Sequence, residues 1–435
     1  MPCTKTIKMD ILIGKEKEGL YFDLPFQTPK GVQRIDIRYS YERHRSTAVN
    51  GVTKNEEINI IDLALSSGAG EFIGSSGSDR SHVWVSEYNS SDGYAPVETK
   101  EGTWNIIVGA YKVHDEGVKV TYEITFEFKE RTLLKGDCHV HTTGSDGVLP
   151  VNVIEQLAIS NNLDFIFITD HNNYYHDPAL RSSKNLTVIP GVEWTHFKGH
   201  ANMLGVERAF YGKYYANDIE GVQKIFSEAR KNGAVIVINH PFDQNCSWRL
   251  GLHNIQYDCI EAWNGIIKQS DMQCIGWWHN ELCQGRKIPI IGGSDFHRFE
   301  NFGMIGRPTT CVYSMSRSRT DIIDAILHGR SYITFQPQAP SVDMRCNDGF
   351  IGDTVKYEKG LDISFAFSSL NAGDIIRIYS SSGIEKEINV SQAGEMSFKI
   401  EAKDSAFYRA EIYRKLLPNL PPFLCLVTNP IYFSK

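Results

Sequence analysis

The chain has 435 residues, with 45 Lys+Arg against 52 Asp+Glu and a formal net charge of −7. At 41% apolar and 22% charged it reads as a soluble globular protein, and collagen-like, coiled-coil and globally disordered chains are excluded. At roughly 150 residues per domain about three domains are expected, and the acidic balance argues against broad nucleic-acid binding through a basic face while leaving room for a small anionic substrate.

The first residues, MPCTKTIKMDILIG, lack the apolar core of a signal peptide. No run approaches ~18 apolar residues, so no membrane span is expected. The nine cysteines form no CxxC pair. Reduced thiols and a cytoplasmic location are the expectation. Oligomeric state is not legible.

Residues 1–132 read as β. The stretches 33–41, 57–65 and 104–111 are short apolar or alternating runs, and 118–128 (VKVTYEITFEF) alternates cleanly. Alternation predicts half-buried strands and a β-sandwich-like domain. The Gly- and Ser-rich stretch 66–80 has no GKS or GKT ending and is expected to be an exposed loop rather than a phosphate cradle. Trp and Tyr in such flanks are expected in the core.

The pattern changes at residue 133. Strands are expected at 133–140, 163–169, 186–192, 201–206, 234–239, 258–263 and 289–293, with helices at 151–161, 219–232 and 271–285. The strand runs are β-branched and almost wholly apolar, as in a parallel sheet covered on both faces. This α/β domain spans 133–338. From 339 to 435 the chain returns to β. Strands are expected at 361–368, 374–379 and 407–413. The run 425–433 would be a last edge strand, because Pro430 has no N–H for a central ladder.

Fourteen histidines are spread along the chain, and several stand at the ends of the expected α/β strands. His139 and His141 close the first, two apart and so on one face. Asp146 follows in Ser-Asp-Gly. His171 comes after Asp170, Glu193 ends the third strand, and His240 ends VIVIN. Asp295 and His297 follow PIIGG. An α/β sheet or barrel gathers such residues on one rim. Imidazole and carboxylate together suit zinc, manganese or iron. With His200, just before the fourth strand, there are nine candidates, more than one ion needs, so two or three ions are expected. Asp170 is expected to orient an imidazole. His176, His196, His253 and His279 fit no strand-end pattern and are expected at the surface. Cys138 should face the core. Arg298 and Arg307, near the last motif, are candidates to bind substrate phosphate, with Lys268 behind them.

The ordered set HxH, SDG, TDHN, GVEWT, GHANMLG, NHP and GGSDFH resembles the PHP (polymerase and histidinol phosphatase) superfamily, over about residues 133–335. Glu261-Ala-Trp-Asn-Gly and the β flanks, with Thr428-Asn-Pro-Ile-Tyr, resemble its carbaryl-hydrolase-like (CehA/McbA-type) branch. The resemblance implies a distorted seven-stranded (β/α)7 barrel. It implies one ion on His139, His141, Glu193 and Asp295. A second would share Glu193 with His200 and His240, and a third would take Asp146, His171 and His297. Only the resemblance brings His200 into the cluster. Bound ions would lower the pKa of water towards ~7 and supply hydroxide, with Glu193 and Asp295 holding the reacting centre. The implied activity is hydrolysis of a small phosphate mono- or diester. Hydrolysis of a carbamate or carboxylic ester is the alternative, and a noncatalytic accessory module is a third.

Overall fold

The computed structural model of the chain describes residues 3–49, 52–173, 185–299, 303–415 and 420–434. Two compact units divide it, Met1–Arg131 and Thr132–Lys435.

In the first unit alternation sets strands with one buried face. Val118–Phe128 buries every second residue from Val118 to Phe126. It lies antiparallel between Thr4–Ile13 and Val32–Tyr41, and His82–Ser86 completes that sheet. A second antiparallel sheet runs in the order Leu20–Thr28, Gly102–Lys112, Ile60–Ser66, Phe72–Gly77. Ile35, Ile37 and Ile124 of one sheet share a core with Leu63, Ile106 and Val108 of the other, which makes a sandwich. The Gly/Ser stretch is not wholly loop. Phe72–Gly77 pairs with Ile60–Ser66 and buries Ile73; backbone pairing stabilises a strand that its small side chains would not reveal.

The second unit runs β1 (Thr132–Val140), α1 (Val151–Ser160), β2 (Phe165–Ile168), β3 (Thr187–His196), β4 (Gly199–Leu204), α2 (Ile219–Lys231), β5 (Val235–Ile238), β6 (Cys259–Asn264), α3 (Gln269–Cys283), β7 (Ile290–Gly293), β8 (Thr309–Ser314), α4 (Arg319–Leu327) and β9 (Ser331–Thr334). Strands β1 to β7 lie side by side in chain order. Parallel pairing links β1, β2 and β3, and again β5, β6 and β7. Strand β4 is antiparallel to both its neighbours, joined to β3 by a two-residue turn that leaves no room for a helix. The unit is therefore sheet-rich, and the regular (β/α)7 repeat implied by the resemblance is not observed. The ends of the run meet: Asp295 N donates to His139 O at 2.8 Å and His141 N to Phe296 O at 3.0 Å. The first half of β1 pairs with β8 instead. Cys138, Phe167, Ile189, Leu204, Val237, Cys259 and Ile291, one from each of the seven strands, pack together.

Through β8 and β9 the sheet continues into Phe423–Thr428 and Phe407–Arg414. The expected single strand over 425–433 is two. Asn429 and Pro430 break it. With the imino acid in the break, Phe423–Thr428 can be central, between β9 and Phe407–Arg414. Among the described residues no helix is long and apolar enough to cross a membrane.

Candidate metal centre

Parallel strands end on one rim, and the rim of β1, β2, β3, β5 and β7 carries His139, His141, His171, Glu193, His240, Asp295 and His297. Strand β4 runs the other way, so its beginning lies on that same rim. His200, its second residue, stands across from Thr195. A rule based on carboxyl ends alone could not find it.

Glu193 is 1% exposed and is ringed by imidazoles. His171 Nδ1 lies 2.7 Å from Oε2, and His141 Nε2 3.4 Å from the same oxygen. His200 Nδ1 lies 3.1 Å from Oε1, with His139 Nε2 and His240 Nε2 each at 3.4 Å. Asp295 Oδ1 stands 3.1 Å from His141 Nε2 and 3.4 Å from His139 Nε2. Asp146 Oδ1 lies 3.2 Å from His297 Nε2 and 3.6 Å from His171 Nε2.

Three subsets bring their ligand atoms within 4.8 Å of one another: His139, His141 and Glu193; His141, Asp146, His171 and His297; His200, His240 and Cys246. His141 joins two of them. Cys246 was not anticipated. Its sulfur lies 3.4 Å from His240 Nδ1, the nitrogen opposite the one that faces Glu193.

The donor set fits divalent ions. Glu193 Oε2 and Asp295 Oδ1 are buried carboxylate oxygens without a hydrogen bond among the described residues. Such atoms are costly unless a cation takes them. Burial alone would raise the Glu193 carboxyl; the charge of His139 and the close imidazoles of His139, His171 and His200 hold it well below the usual range. Burial alone would lower His139, but Asp295, Glu261 and Glu193 push it well above the usual imidazole value. The backbone is strained here. His240 (φ 29°) and Asp295 (φ 52°) are in the left-handed region, which non-glycine residues enter at a cost that clusters at functional sites. Gly293 of the last motif is required by packing: a Cβ there would lie 2.3 Å from the Cβ of His139.

Other expected residues divide. Asp170 accepts from Thr142 N, Thr142 Oγ1 and Ser145 Oγ, each at 2.7 Å. In these contacts it orders the turn behind His141 and reaches that imidazole through Ser145, whose Oγ lies 3.4 Å from His141 Nδ1. Arg298 lines a cleft of about 230 Å³ with Asp295, Phe296 and His297, and bonds Asp146 O at 3.4 Å. Among the described residues Arg307 makes no side-chain hydrogen bond or ion pair. Lys268 is paired with Asp243 at 2.9 Å. Cys138 is buried in the core. His253 is exposed, while His196 stacks on Trp194 and His279 accepts from buried Arg409 at 3.3 Å, so neither is a plain surface group. His176 lies outside the described residues.

No role at the site was expected of Asn239, or of Glu261, noted only as part of the Glu261-Ala-Trp-Asn-Gly resemblance. Asn239 Nδ2 donates to Glu193 Oε1 at 2.8 Å. Glu261 Oε1 lies 3.0 Å from His139 Nδ1. The available signal was an acid inside the otherwise apolar run CIEAW.

No family model matches the chain. The chain is 25% identical over 180 residues to the DNA polymerase/3'-5' exonuclease PolX of Bacillus subtilis, a match covering 39% of this chain; it spans only 28% of that curated relative's length. Among solved structures it is similar to a two-domain protein from Bacteroides vulgatus containing a predicted PHP-like metal-dependent phosphoesterase, at 18% identity, 69% of this chain, 96% of that one and a TM-score of 0.39. A second, from Bifidobacterium adolescentis, carries a provisional description as a metal-dependent phosphoesterase, at 16% identity, 39% of this chain, 90% of that one and a TM-score of 0.30. Of these three, the Bacteroides vulgatus protein is described as containing a PHP-like domain. None of these three names the carbaryl-hydrolase-like branch.

Proposed function

We propose that the chain is a metal-dependent hydrolase of small phosphate mono- or diesters, working with two or three divalent ions, zinc, manganese or iron. The observation that carries this is one buried carboxylate, Glu193, within 3.4 Å of five imidazoles. His139, His141, Glu193 and Asp295 would hold one ion, Glu193, His200 and His240 a second, and Asp146, His171 and His297 a third. When bound, such ions supply an acidified water and take up charge on phosphoryl oxygens. The chain's own residues do the rest. The carboxylates fix the cluster's charge, and Asp295 and His297 border the cleft. Arg298 stands there to pair with phosphate oxygens. At about 230 Å³ the cleft is below the roughly 300–1,000 Å³ of pockets for drug-sized ligands, which favours a compact anion over an aryl carbamate.

We further propose a distorted seven-stranded barrel for 133–338, flanked by β-rich domains at 1–132 and 339–435. All nine cysteines are free, which supports a cytoplasmic location.

Competition between p-nitrophenyl phosphate, methylphosphonate, acetate and carbamate on one metal-replete preparation tests the substrate class. The PolX likeness makes a dinucleotide diester a fit addition. A phosphoester is expected to exceed the others in kcat/KM by at least ~10-fold, about 1.4 kcal/mol of transition-state preference. If acetate or carbamate wins, the carbaryl-hydrolase alternative replaces this one. No turnover of any ester would favour the accessory module.

A further inference from the structure

We infer that Glu261 is a positioning residue that sets the tautomer of His139 and joins the first ion position to the second, an inference that rests on the cluster being a metal centre. Glu261 lies in β6, a strand whose six residues are all buried. Three groups converge on its carboxylate. His139 Nδ1 lies 3.0 Å from Oε1, while His240 N and Asn264 Nδ2 donate to Oε2 at 3.0 and 3.1 Å.

A backbone N–H and an amide NH2 can only donate, and an ionised carboxylate can only accept. His139 Nδ1 facing such an oxygen must carry its proton. In the neutral ring that an ion requires, the lone pair is then on Nε2, which faces Glu193 and Asp295, each at 3.4 Å. That is the form in which imidazole binds an ion. The His139 ring is fully buried, so water cannot substitute. The other oxygen grips the backbone at His240, a residue of the second position. Asn264 extends the link by donating to Asp295 Oδ2 at 3.2 Å.

Glutamine has the same shape but cannot serve all three donors. With its oxygen towards His240 N and Asn264, its NH2 faces His139 Nδ1 and forces the proton to Nε2. Turned round, its NH2 opposes two donors. Aspartate keeps the charge but is one methylene short of spanning both sides.

The test is zinc titration of the stripped full chain against a chelating indicator, for wild type, Glu261→Gln and Glu261→Asp. The unfolding midpoint of each stripped protein and its downfield imidazole proton spectrum are recorded alongside. Both variants are expected to bind at least one zinc ion 10–100-fold more weakly. Their metal-free midpoints should stay near wild type, stoichiometry should return at saturating zinc, and the Nδ1–H resonance should be lost or displaced in Glu261→Gln. Wild-type zinc affinity in either variant overturns the inference. So does weakening matched by a collapse of metal-free stability in both, which would make Glu261 structural. Wild-type protein that binds no zinc instead removes the metal centre itself, and the inference with it.

Discussion

Glu193 is fully buried, and a carboxylate there would be driven neutral were it not for the imidazoles that face it. Removing its charge while keeping its volume isolates that role. Glu193→Gln is expected to lower phosphoester turnover by a factor of ~10³, the order found when charge stabilisation is removed from a hydrolytic site, with an unfolding midpoint close to wild type. Steady-state rates at saturating metal, beside a denaturant curve, check it. At this scale much of the cluster was legible, because HxH, TDH, NHP and SDFH put titratable residues directly after apolar runs. What escaped was the support behind them. Glu261 and Asn239 lie within or at the edge of buried strands, where periodicity registers only burial. Cys246 sits six residues past His240, and only the turn that folds back on Asp243 brings its sulfur to that ring.

Strands β1 to β7 were legible as elements because each is a short apolar run between polar breaks. Their directions were not. Nothing in the composition of β4 marks it as antiparallel, yet its direction carries His200 to the rim. Helix α4, nine residues long, and the strands Thr4–Ile13 and Leu20–Thr28 were missed, since the first two are interrupted by charged residues and the third carries Pro25 within its apolar run. Two elements invite direct tests. At the start of α3, Asp271 accepts from Lys268 N at 2.9 Å and Asn264 N at 3.3 Å, and burial pushes its carboxyl up to about 7. The folded chain then keeps a proton that the unfolded chain releases near 4. Stability should fall as pH rises from about 4 to about 7, by up to about 1.4 kcal/mol per unit, and flatten above. Asp271→Asn is expected to lose less stability than wild type between pH 5 and 8, read from paired urea curves. Behind β7, the Asn429 side chain mimics a strand: Oδ1 accepts from Ile290 N and Nδ2 donates to Ile290 O, each at 2.9 Å, and it also reaches Ser331. Asn429→Ala would leave those buried groups unpaired. A loss of about 2–4 kcal/mol is expected, visible as a lower urea midpoint with an unchanged slope.

Over the whole second unit, one sheet delivers residues from 139 to 297 to a single rim, and the backbone bonds between β1 and the residues after β7 bring the first and last of them together. The sandwich of the first unit was legible from alternation, because a half-buried sheet writes its period into the sequence. The mixed direction of the second was not, because strands buried on both faces lose that record. On the proposed function, this organisation would let several ions share the charge of Glu193 and Asp295. The most direct measurement is p-nitrophenyl phosphate hydrolysis while zinc or manganese is titrated into stripped protein, plotted against ions bound per chain. The expected curve stays near zero until the first ion is bound and rises as a second binds. Full activity with one ion, or activity that survives complete stripping, would contradict a multinuclear phosphoesterase.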